Sequence, residues 1–281
     1  MIGAIIGDIA GSRFEFNNHR SKEFELFTDD CEATDDSIMT LAVAKAIMET
    51  DKEKVSSAPG CEHDSDYYTL LSKMTVKYMQ EIGRQYPHCG FGGSFARWVI
   101  NDDPKPYNSY GNGAAMRISP AGYAARTEEE AIGLSESITR VTHNHPEGIK
   151  GAEATAVAIF MARRGSTRKE IRDKIDSSYY PIDFTTDEIR DTYAFNETCQ
   201  DTVPQAIAAF LESTSFEDAI RIAISIGGDS DTVAAITGSI AEAYYGVPED
   251  IKNKAMEYLD DELRPIYEEW SAFIGSENRH D

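Results

Sequence analysis

Residues 225–246 read SIGGDSDTVAAITGSIAEAYYG, and this stretch indicates how the fold is organised. From Val233 to Tyr245 the apolar residues predict a helix that lies in the protein interior. Two glycines and two aspartates, Asp229 and Asp231, come directly before that helix. Helix starts commonly carry an acidic or hydroxyl side chain as an N-cap, but capping needs only one such side chain. The second carboxylate therefore suggests an additional role at the mouth of a buried helix.

A second acidic helix start lies far upstream, in the sequence EATDDSIMTLAVAKAI of residues 32–47. For either start alone, capping is the simpler interpretation. If the two starts face each other, four carboxylates meet, and each like-charged pair at about 4 Å costs about 4 kcal/mol at an effective dielectric near 20. Helix dipoles offset only about 1 kcal/mol each. Divalent cations would reverse this balance, and all-oxygen donors favour two Mg²⁺ ions, or Mn²⁺, that share a carboxylate.

The composition excludes several classes of protein. The chain has 281 residues, of which 41% are hydrophobic and 27% charged, and no stretch is long and apolar enough to span a membrane. A net charge of -22 argues against bulk binding to nucleic acid, although a flipped base could still enter a cleft. Asp8 interrupts the apolar N-terminal stretch, which predicts a core helix and not a signal peptide. The scattered cysteines, Cys31, Cys61, Cys89 and Cys199, favour a reducing cytoplasmic location, and we expect a monomer.

The apolar periodicity is helical throughout the chain, and convincing strands with period-two alternation are absent from the sequence. The segment 86–116, rich in Gly, Pro and Asn, is predicted to be irregular. We therefore predict an all-α protein with one domain over residues 1–281. The predicted helices cover residues 36–50, 67–82, 128–142, 148–163, 202–212, 216–226, 232–245 and 249–259.

Two glycine loops and a histidine are further candidates for a ligand site. The loop NSYGNGAAMR (108–117) would let backbone N–H groups approach a phosphate or a sugar, but a plain turn explains it equally well. The loop HCGFGGSF (88–95) allows the same two interpretations and offers Phe91 for stacking. His143 fits either a ligand contact or the end of a helix.

Five segments, taken together, resemble the ADP-ribosylglycohydrolase family. They read GDIAGSRFEF, TDDSIMTLAVAKAI, GNGAAMR, THNHPEG and SIGGDSDTVAAITGSIAEAYYG, and they occur in the family's order from Gly7 to Gly246. TDDS alone is a weak signal, and a second TDD lies at residues 28–30, but the later copy directly precedes the apolar helix. The set of five is specific.

The resemblance implies a fold, a site and a set of residues. The fold is an all-α, single-domain orthogonal helical bundle with a binuclear magnesium site at the base of a central cleft. Glu15 would be required for catalysis, as acid/base or as a gate, together with Asp36 and Asp229. The implied metal ligands are Thr34, Asp35, Asp36, Asp229, Asp231 and Thr232. The implied substrate-binding residues are Ser109, Tyr110, Gly111, Asn112 and His143, with Gly90, Phe91 and Gly92 in a second loop.

The same resemblance implies a magnesium-dependent hydrolase that releases ADP-ribose from a modified macromolecule. The THNHPEG segment looks more like the arginine-specific branch, so ADP-ribosylated arginine on protein is the expected partner. Serine, nucleobase and O-acetyl linkages remain alternatives. A two-metal phosphoesterase and a non-catalytic ADP-ribose-binding protein are the competing classes.

Overall fold

The computed structural model describes residues 1–54 and 65–277, and every regular element in those two ranges is helical. An isolated antiparallel bridge joins Gly111 to Thr198. The prediction of an all-α fold is therefore confirmed. The helices are α1 (Ile2–Ser12), α2 (Asp35–Lys54), α3 (Ser65–Gly83), α4 (Gly93–Ile100), α5 (Gly113–Met116), α6 (Ser119–Ala124), α7 (Glu128–Thr139), α8 (Pro146–Arg163), α9 (Arg168–Ser178), α10 (Thr186–Ile189), α11 (Cys199–Glu212), α12 (Phe216–Ile226), α13 (Ser230–Tyr245), α14 (Glu249–Ala255), a 3-10 turn (Met256–Tyr258) and α15 (Leu263–Glu277).

All eight segments with helical periodicity form helices, but sequence periodicity missed some of the others. Helix α4 lies inside the segment 86–116, which was wrongly predicted to be irregular throughout. Helix α9 is strongly charged and buries only Ile171 and Ile175, so its apolar pattern is too sparse to detect. Its capping box, formed by Thr167 and Glu170, was the available signal.

Helix α1 packs against α13 at unusually close range because three glycines face the partner helix. A Cβ atom added to Gly7 would lie 2.1 Å from the carbonyl oxygen of Ala234, and one added to Gly11 would lie 2.5 Å from the Cα of Asp231. Gly3 makes the same kind of approach to Gly238. Spacing of four residues places these glycines on one face of α1. The contact brings the C-terminal half of α1 directly onto the acidic start of α13.

The two helices that begin with aspartates are central to the protein. In α13, every residue from Ser230 to Ala241 is buried, and α2 is buried from Asp36 to Ala44. The apolar core is continuous around both helices. The described cysteines, Cys31, Cys89 and Cys199, are free thiols, whereas Cys61 lies outside the described residues. No described helix is long and apolar enough to cross a membrane.

Candidate active site

The starts of α2 and α13 meet at the base of a cleft of about 260 Å³. The cleft wall is completed by the end of α1 and by the loops before α4, α5, α8 and α11. This convergence is the arrangement that the paired acidic motifs predicted. The lining residues are Glu15, Asp35, Asp36, Gly90, Gly92, Gly93, Ser94, Phe95, Tyr107, Ser109, Gly111, Asn112, Gly113, Met116, Arg117, His143, Glu197, Asp229, Asp231 and Thr232.

At the start of α13, the carboxylate of Asp229 does not cap the helix. Asp229 occupies the N-cap position of the backbone, but its side chain accepts no capping hydrogen bond. It accepts instead from the side-chain amide of Asn112, with 2.7 Å between Nδ2 and Oδ2. Gly227 and Gly228, at φ of +76° and +77°, form the turn that precedes it. The carboxylate is therefore directed by the turn and by Asn112 toward the cleft.

At the start of α2, a threonine, and neither aspartate, acts as the capping residue. The Oγ1 of Thr34 accepts a long hydrogen bond of 3.4 Å from the backbone N–H of Asp36. The carboxylates of Asp35 and Asp36 are thus available for other contacts. The Oδ2 of Asp36 accepts from the Oγ1 of Thr232 at 3.2 Å, which ties the two helix starts together. The Oδ1 of Asp36 is buried and has no hydrogen-bond partner among the described residues.

Asp8 is a site residue that the sequence analysis missed. Its fully buried carboxylate accepts hydrogen bonds from the backbone N–H and Oγ1 of Thr34, at 2.9 and 2.6 Å, and from both the N–H and the hydroxyl of Ser37. An aspartate in the middle of an apolar helix was the visible signal, and it served there only to exclude a signal peptide. Asp8 holds the start of α2 against α1.

Carboxylate oxygens crowd the base of the cleft in two groups that share Asp231. In each group the ligand atoms lie within 4.8 Å of one another, and the groups are Asp8, Asp36 and Asp231, and Glu15, Asp229 and Asp231. Burial raises the pKa of Asp8 to about 6, that of Glu15 to about 7 and that of Asp35 to about 8, with neighbouring carboxylates adding to the rise for Glu15 and Asp35. Burial likewise raises the pKa values of Asp36, Asp229 and Asp231.

The donor atoms of these residues and their unsatisfied contacts fit divalent cations. The donors are all oxygen, which suits Mg²⁺ or Mn²⁺. The buried Oδ1 of Asp36 has an unsatisfied lone pair, and such an atom is costly unless something binds it. Asp231 belongs to both groups, so its carboxylate is placed to bind a cation in each of them.

The glycine loop of residues 88–95 lies directly against the carboxylates. Gly90 has a φ of +112°, and a Cβ atom there would lie 2.8 Å from the Oδ1 of Asp35, so no larger residue fits. Phe91, in contrast, does not line the cleft: its ring packs against that of Phe95, with 5.0 Å between centroids. The loop thus approaches a metal-ligand candidate, while Phe91 belongs to the packing behind it.

The glycine loop of residues 108–117 is held by hydrogen bonds to the segment before α11. The backbone N–H of Asn112 donates to the carbonyl of Glu197 at 2.7 Å, and the N–H of Cys199 donates to the carbonyl of Tyr110 at 2.9 Å. The Tyr110 ring turns away from the cleft, is 46% exposed and lies 5.2 Å from the ring of His145. Ser109, Gly111 and Asn112 line the cleft.

His143 and Arg117 also line the cleft, and their chemistry differs from that of the carboxylates. The Nδ1 of His143 lies 3.1 Å from Nη2 of Arg117 and 2.7 Å from the Oγ1 of Thr142. Because a guanidinium only donates, Nδ1 must accept, and the imidazole hydrogen resides on Nε2. Burial, with the nearby Arg117 charge, lowers the pKa of His143 well below its usual value. The neutral ring therefore offers an Nε2–H donor beside Gly111 and Gly113.

Arg117 was also missed, although it ends the GNGAAMR motif. Its guanidinium is almost fully buried and lies 5.2 Å from the centroid of the Phe95 ring. None of the described carboxylates forms an ion pair with it, and its Nε has no hydrogen-bond partner in the same part of the chain. Burial lowers its pKa to about 10, so it remains charged at neutral pH. An arginine inside an otherwise apolar segment was the available signal.

Most of the predicted site residues come together in this cleft, and three lie outside its lining. Thr34 binds Asp8, Phe91 packs behind the wall and Tyr110 faces outward. In the alternative TDD copy, Asp29 and Asp30 precede no helix, and Asp30 is exposed. The roles assigned to individual residues remain predictions.

Comparison with known proteins identifies the family. The ADP-ribosylglycohydrolase family profile matches residues 1–277. An ADP-ribosylarginine hydrolase Tri1 from Pseudomonas putida (strain GB-1) is 27% identical over 277 residues, covering 88% of this chain and 70% of the relative. An ADP-ribosylhydrolase ARH3 from Xenopus tropicalis is 24% identical and covers 93% of this chain and 91% of its own.

A solved structure, described as an ADP-ribosylglycohydrolase-related protein complex, shares the fold. It superposes with a TM-score of 0.61 at 20% identity and covers 94% of each chain. The chain belongs to the ADP-ribosylglycohydrolase family, and the prediction of a glycosidic-bond hydrolase is confirmed.

Proposed function

We propose that residues 1–281 form one catalytic domain that uses two Mg²⁺ ions, or Mn²⁺, to release ADP-ribose from arginine on modified proteins. The observation that carries this proposal is the convergence of two helix starts that bring four aspartates into one cleft, where Asp229 makes no capping hydrogen bond and the Oδ1 of Asp36 has no partner among the described residues. Divalent cations would offset the repulsion among these carboxylates, and a nucleotide sugar supplies hydroxyls for such cations to orient. The similarity to a hydrolase named for ADP-ribosylarginine favours arginine as the acceptor.

The cations would be held at the base of the cleft by residues from both helix starts. When bound, they would supply positive charge that orients the hydroxyls of the distal ribose. Asp8 would act behind them by fixing Thr34 and Ser37. The proposed ligands are Asp35, Asp36, Asp229 and Asp231, with Thr34 and Thr232 completing the set.

Arg117 and His143 would receive the diphosphate. Arg117 is the only cationic side chain among the described residues that line the cleft, and it has no carboxylate partner there. A buried charge without a partner is costly, and an anionic ligand would compensate it. The Nε2–H of His143 would donate to the same ligand beside the glycine loop. ADP-ribose would therefore lie with its diphosphate near Arg117 and its distal ribose over the aspartates.

Glu15 would handle the proton at the bond that breaks. Its carboxyl lies half-buried at the edge of the cleft, in the same cluster as Asp229 and Asp231. In the metal-free protein, burial, together with Asp229, raises the pKa of Glu15 to about 7, and bound cations would lower it again. The carboxyl would give a proton to the leaving acceptor or take one from water.

The test is product analysis with four conjugates: arginine, serine, nucleobase and O-acetyl linkages of ADP-ribose. We expect intact ADP-ribose from the arginine conjugate, dependent on Mg²⁺ and lost on chelation. Glu15→Gln should reduce turnover by at least about 100-fold while leaving the affinity for ADP-ribose within a few-fold. AMP or phosphate as product would indicate a phosphoesterase instead. Binding of ADP-ribose without release from any linkage would indicate a non-catalytic binding protein.

A further inference from the structure

Two large aromatic side chains are exposed together beside the cleft. Phe16 is 85% exposed and Phe195 is 43% exposed, whereas the other described phenylalanines are buried or half-buried. The two rings stack on each other, with 5.9 Å between centroids and 29° between planes. Apolar surface left in water at one place usually marks a binding site.

The pair stands at the acidic edge of the cleft mouth. Phe16 directly follows Glu15, and Phe195 lies two residues before Glu197, and both glutamates line the cleft. The two segments are far apart in sequence, yet their aromatic rings meet at the same rim.

The segments that present the two rings are held by side-chain contacts to backbone carbonyls. Asn18 donates to the carbonyls of Phe14, Glu15 and Gly228, at 3.0, 3.1 and 2.8 Å. Arg20 donates to the carbonyls of Ile226 and Tyr193, each at 2.6 Å. The rings are thus displayed on a fixed platform, which lowers the entropic cost of binding.

Charge determines what this platform suits. Six carboxylates line the cleft, and four of them, those of Asp35, Asp36, Asp229 and Asp231, are proposed cation ligands. The carboxylates that remain are those of Glu15 and Glu197, which lie next to the aromatic pair along the chain. A cationic acceptor is therefore favoured at the mouth. A guanidinium is planar and stacks on aromatic rings, and it pairs with carboxylates through paired N–H donors.

Given the proposed function, we propose that Phe16, Phe195 and Glu197 form an acceptor subsite that receives the guanidinium of ADP-ribosylated arginine. The aromatic pair provides a stacking face and Glu197 provides the charge. A serine or O-acetyl acceptor carries no positive charge, so it gains little from Glu197 or from a cation–π contact with the rings. The subsite makes the enzyme select its acceptor at the mouth while the cleft base selects the nucleotide sugar.

The test compares two substrates in one set of variants: ADP-ribosyl-arginine and O-acetyl-ADP-ribose. We expect Phe195→Ala and Glu197→Gln each to lower kcat/KM for the arginine conjugate by about 5–30-fold, mainly through KM. The value for O-acetyl-ADP-ribose should change less than about 2-fold. Phe195→Tyr should restore the arginine activity because it keeps the ring. Ile100→Ala, which removes a side chain that is 71% exposed outside the cleft lining, is the matched control.

Binding provides a second measurement that does not depend on turnover. In Glu15→Gln, calorimetry should show ADP-ribosyl-arginine binding more tightly than ADP-ribose, and Phe195→Ala should remove that difference. Equal losses for both substrates, or no loss for either, would overturn the subsite. If the wild-type protein releases ADP-ribose only from other linkages, the proposed acceptor fails. The binding difference then decides separately whether the mouth prefers a guanidinium.

Discussion

Helices α2 and α13 both begin with aspartates, yet they support those carboxylates in different ways. At α2 the support is internal, because the buried Asp8 of α1 binds Thr34 and Ser37 within the first turn. At α13 the support comes from loops, because Asn112 directs Asp229 and Asn18 holds the preceding turn through Gly228. The α2 start is therefore part of the core, and the α13 start is attached to the segments that form the cleft mouth. A substitution that disturbs the α2 start should therefore lower both stability and activity, whereas one that disturbs the α13 start should mainly lower activity.

The most severe change to either start removes a carboxylate from the cation site. We expect Asp36→Asn and Asp229→Asn each to weaken Mg²⁺ binding by at least about 100-fold, because each removes a charged oxygen from the shared cluster. Calorimetric titration of Mg²⁺ into the chelator-treated protein measures this directly. Equal affinity in either variant would mean that its helix start is not a cation site.

The metal-free stability of these two variants sharpens the comparison. Asp36→Asn should raise the melting temperature of the metal-free protein at pH 8, since it removes a buried charge whose Oδ1 has no partner. Asp229→Asn should change it less, because Asn112 already donates to that carboxylate. A fall in melting temperature in Asp36→Asn would show that the carboxylate has a structural role.

We expect a smaller effect on Mg²⁺ binding when Asp8, which supports the α2 start, is changed and the proposed ligands are kept. Asp8→Asn replaces an acceptor of four hydrogen bonds, so we expect a loss of about 2–4 kcal/mol in the free energy of unfolding and about 10–100-fold in Mg²⁺ affinity. Denaturant unfolding and calorimetry measure the two losses.

Asn18→Ala is the matched change on the loop-supported side. It removes the donor to the Glu15 and Gly228 carbonyls, so kcat should fall about 10-fold while unfolding changes by about 1 kcal/mol. If Asn18→Ala destabilises the protein as much as Asp8→Asn does, the distinction between the two starts is wrong.

The sequence predicted the fold class and the helices of the core because their apolar periodicity is long and regular. It missed six helices, which are α4, α5, α6, α9, α10 and α15. Helices α4, α5, α6 and α10 are short, and α9 is strongly charged, so that their apolar periodicity is hard to detect. It also missed the close contact of α1 with α13, although glycines at every fourth position were visible in the sequence.

The site was predicted in outline because paired acidic helix starts are a local pattern. Asp8 and Arg117 were missed because each is a single charged residue in an apolar segment, and only tertiary contacts show what it binds. Tyr110 and Phe91 belong to the right loops, but the direction of a side chain in a loop depends on packing that a motif does not record. Motifs therefore located the cleft, and the structure distinguished its lining from its support.

The smallest effect is expected from a change of pH alone. It tests which helix start binds the additional protons when the metal-free protein folds. Burial raises the pKa of Asp35 to about 8 and that of Asp8 to about 6, so the folded metal-free protein binds more protons than the unfolded chain between about pH 4 and 8. The free energy of unfolding should therefore fall as the pH rises through this window, by about 1.4 kcal/mol for each unit of pKa shift that a buried group contributes.

Saturating Mg²⁺ replaces the protons and should remove most of the fall in melting temperature. Asp35→Asn should flatten the metal-free profile more than Asp229→Asn, because hydrogen bonds with Asp231 and then with Asn112 limit the rise in the pKa of Asp229. A flat profile in the wild-type protein would mean that neither start takes up protons on folding. Equal flattening by both variants would mean that the two starts share the protons evenly and that the difference in their support has no electrostatic consequence.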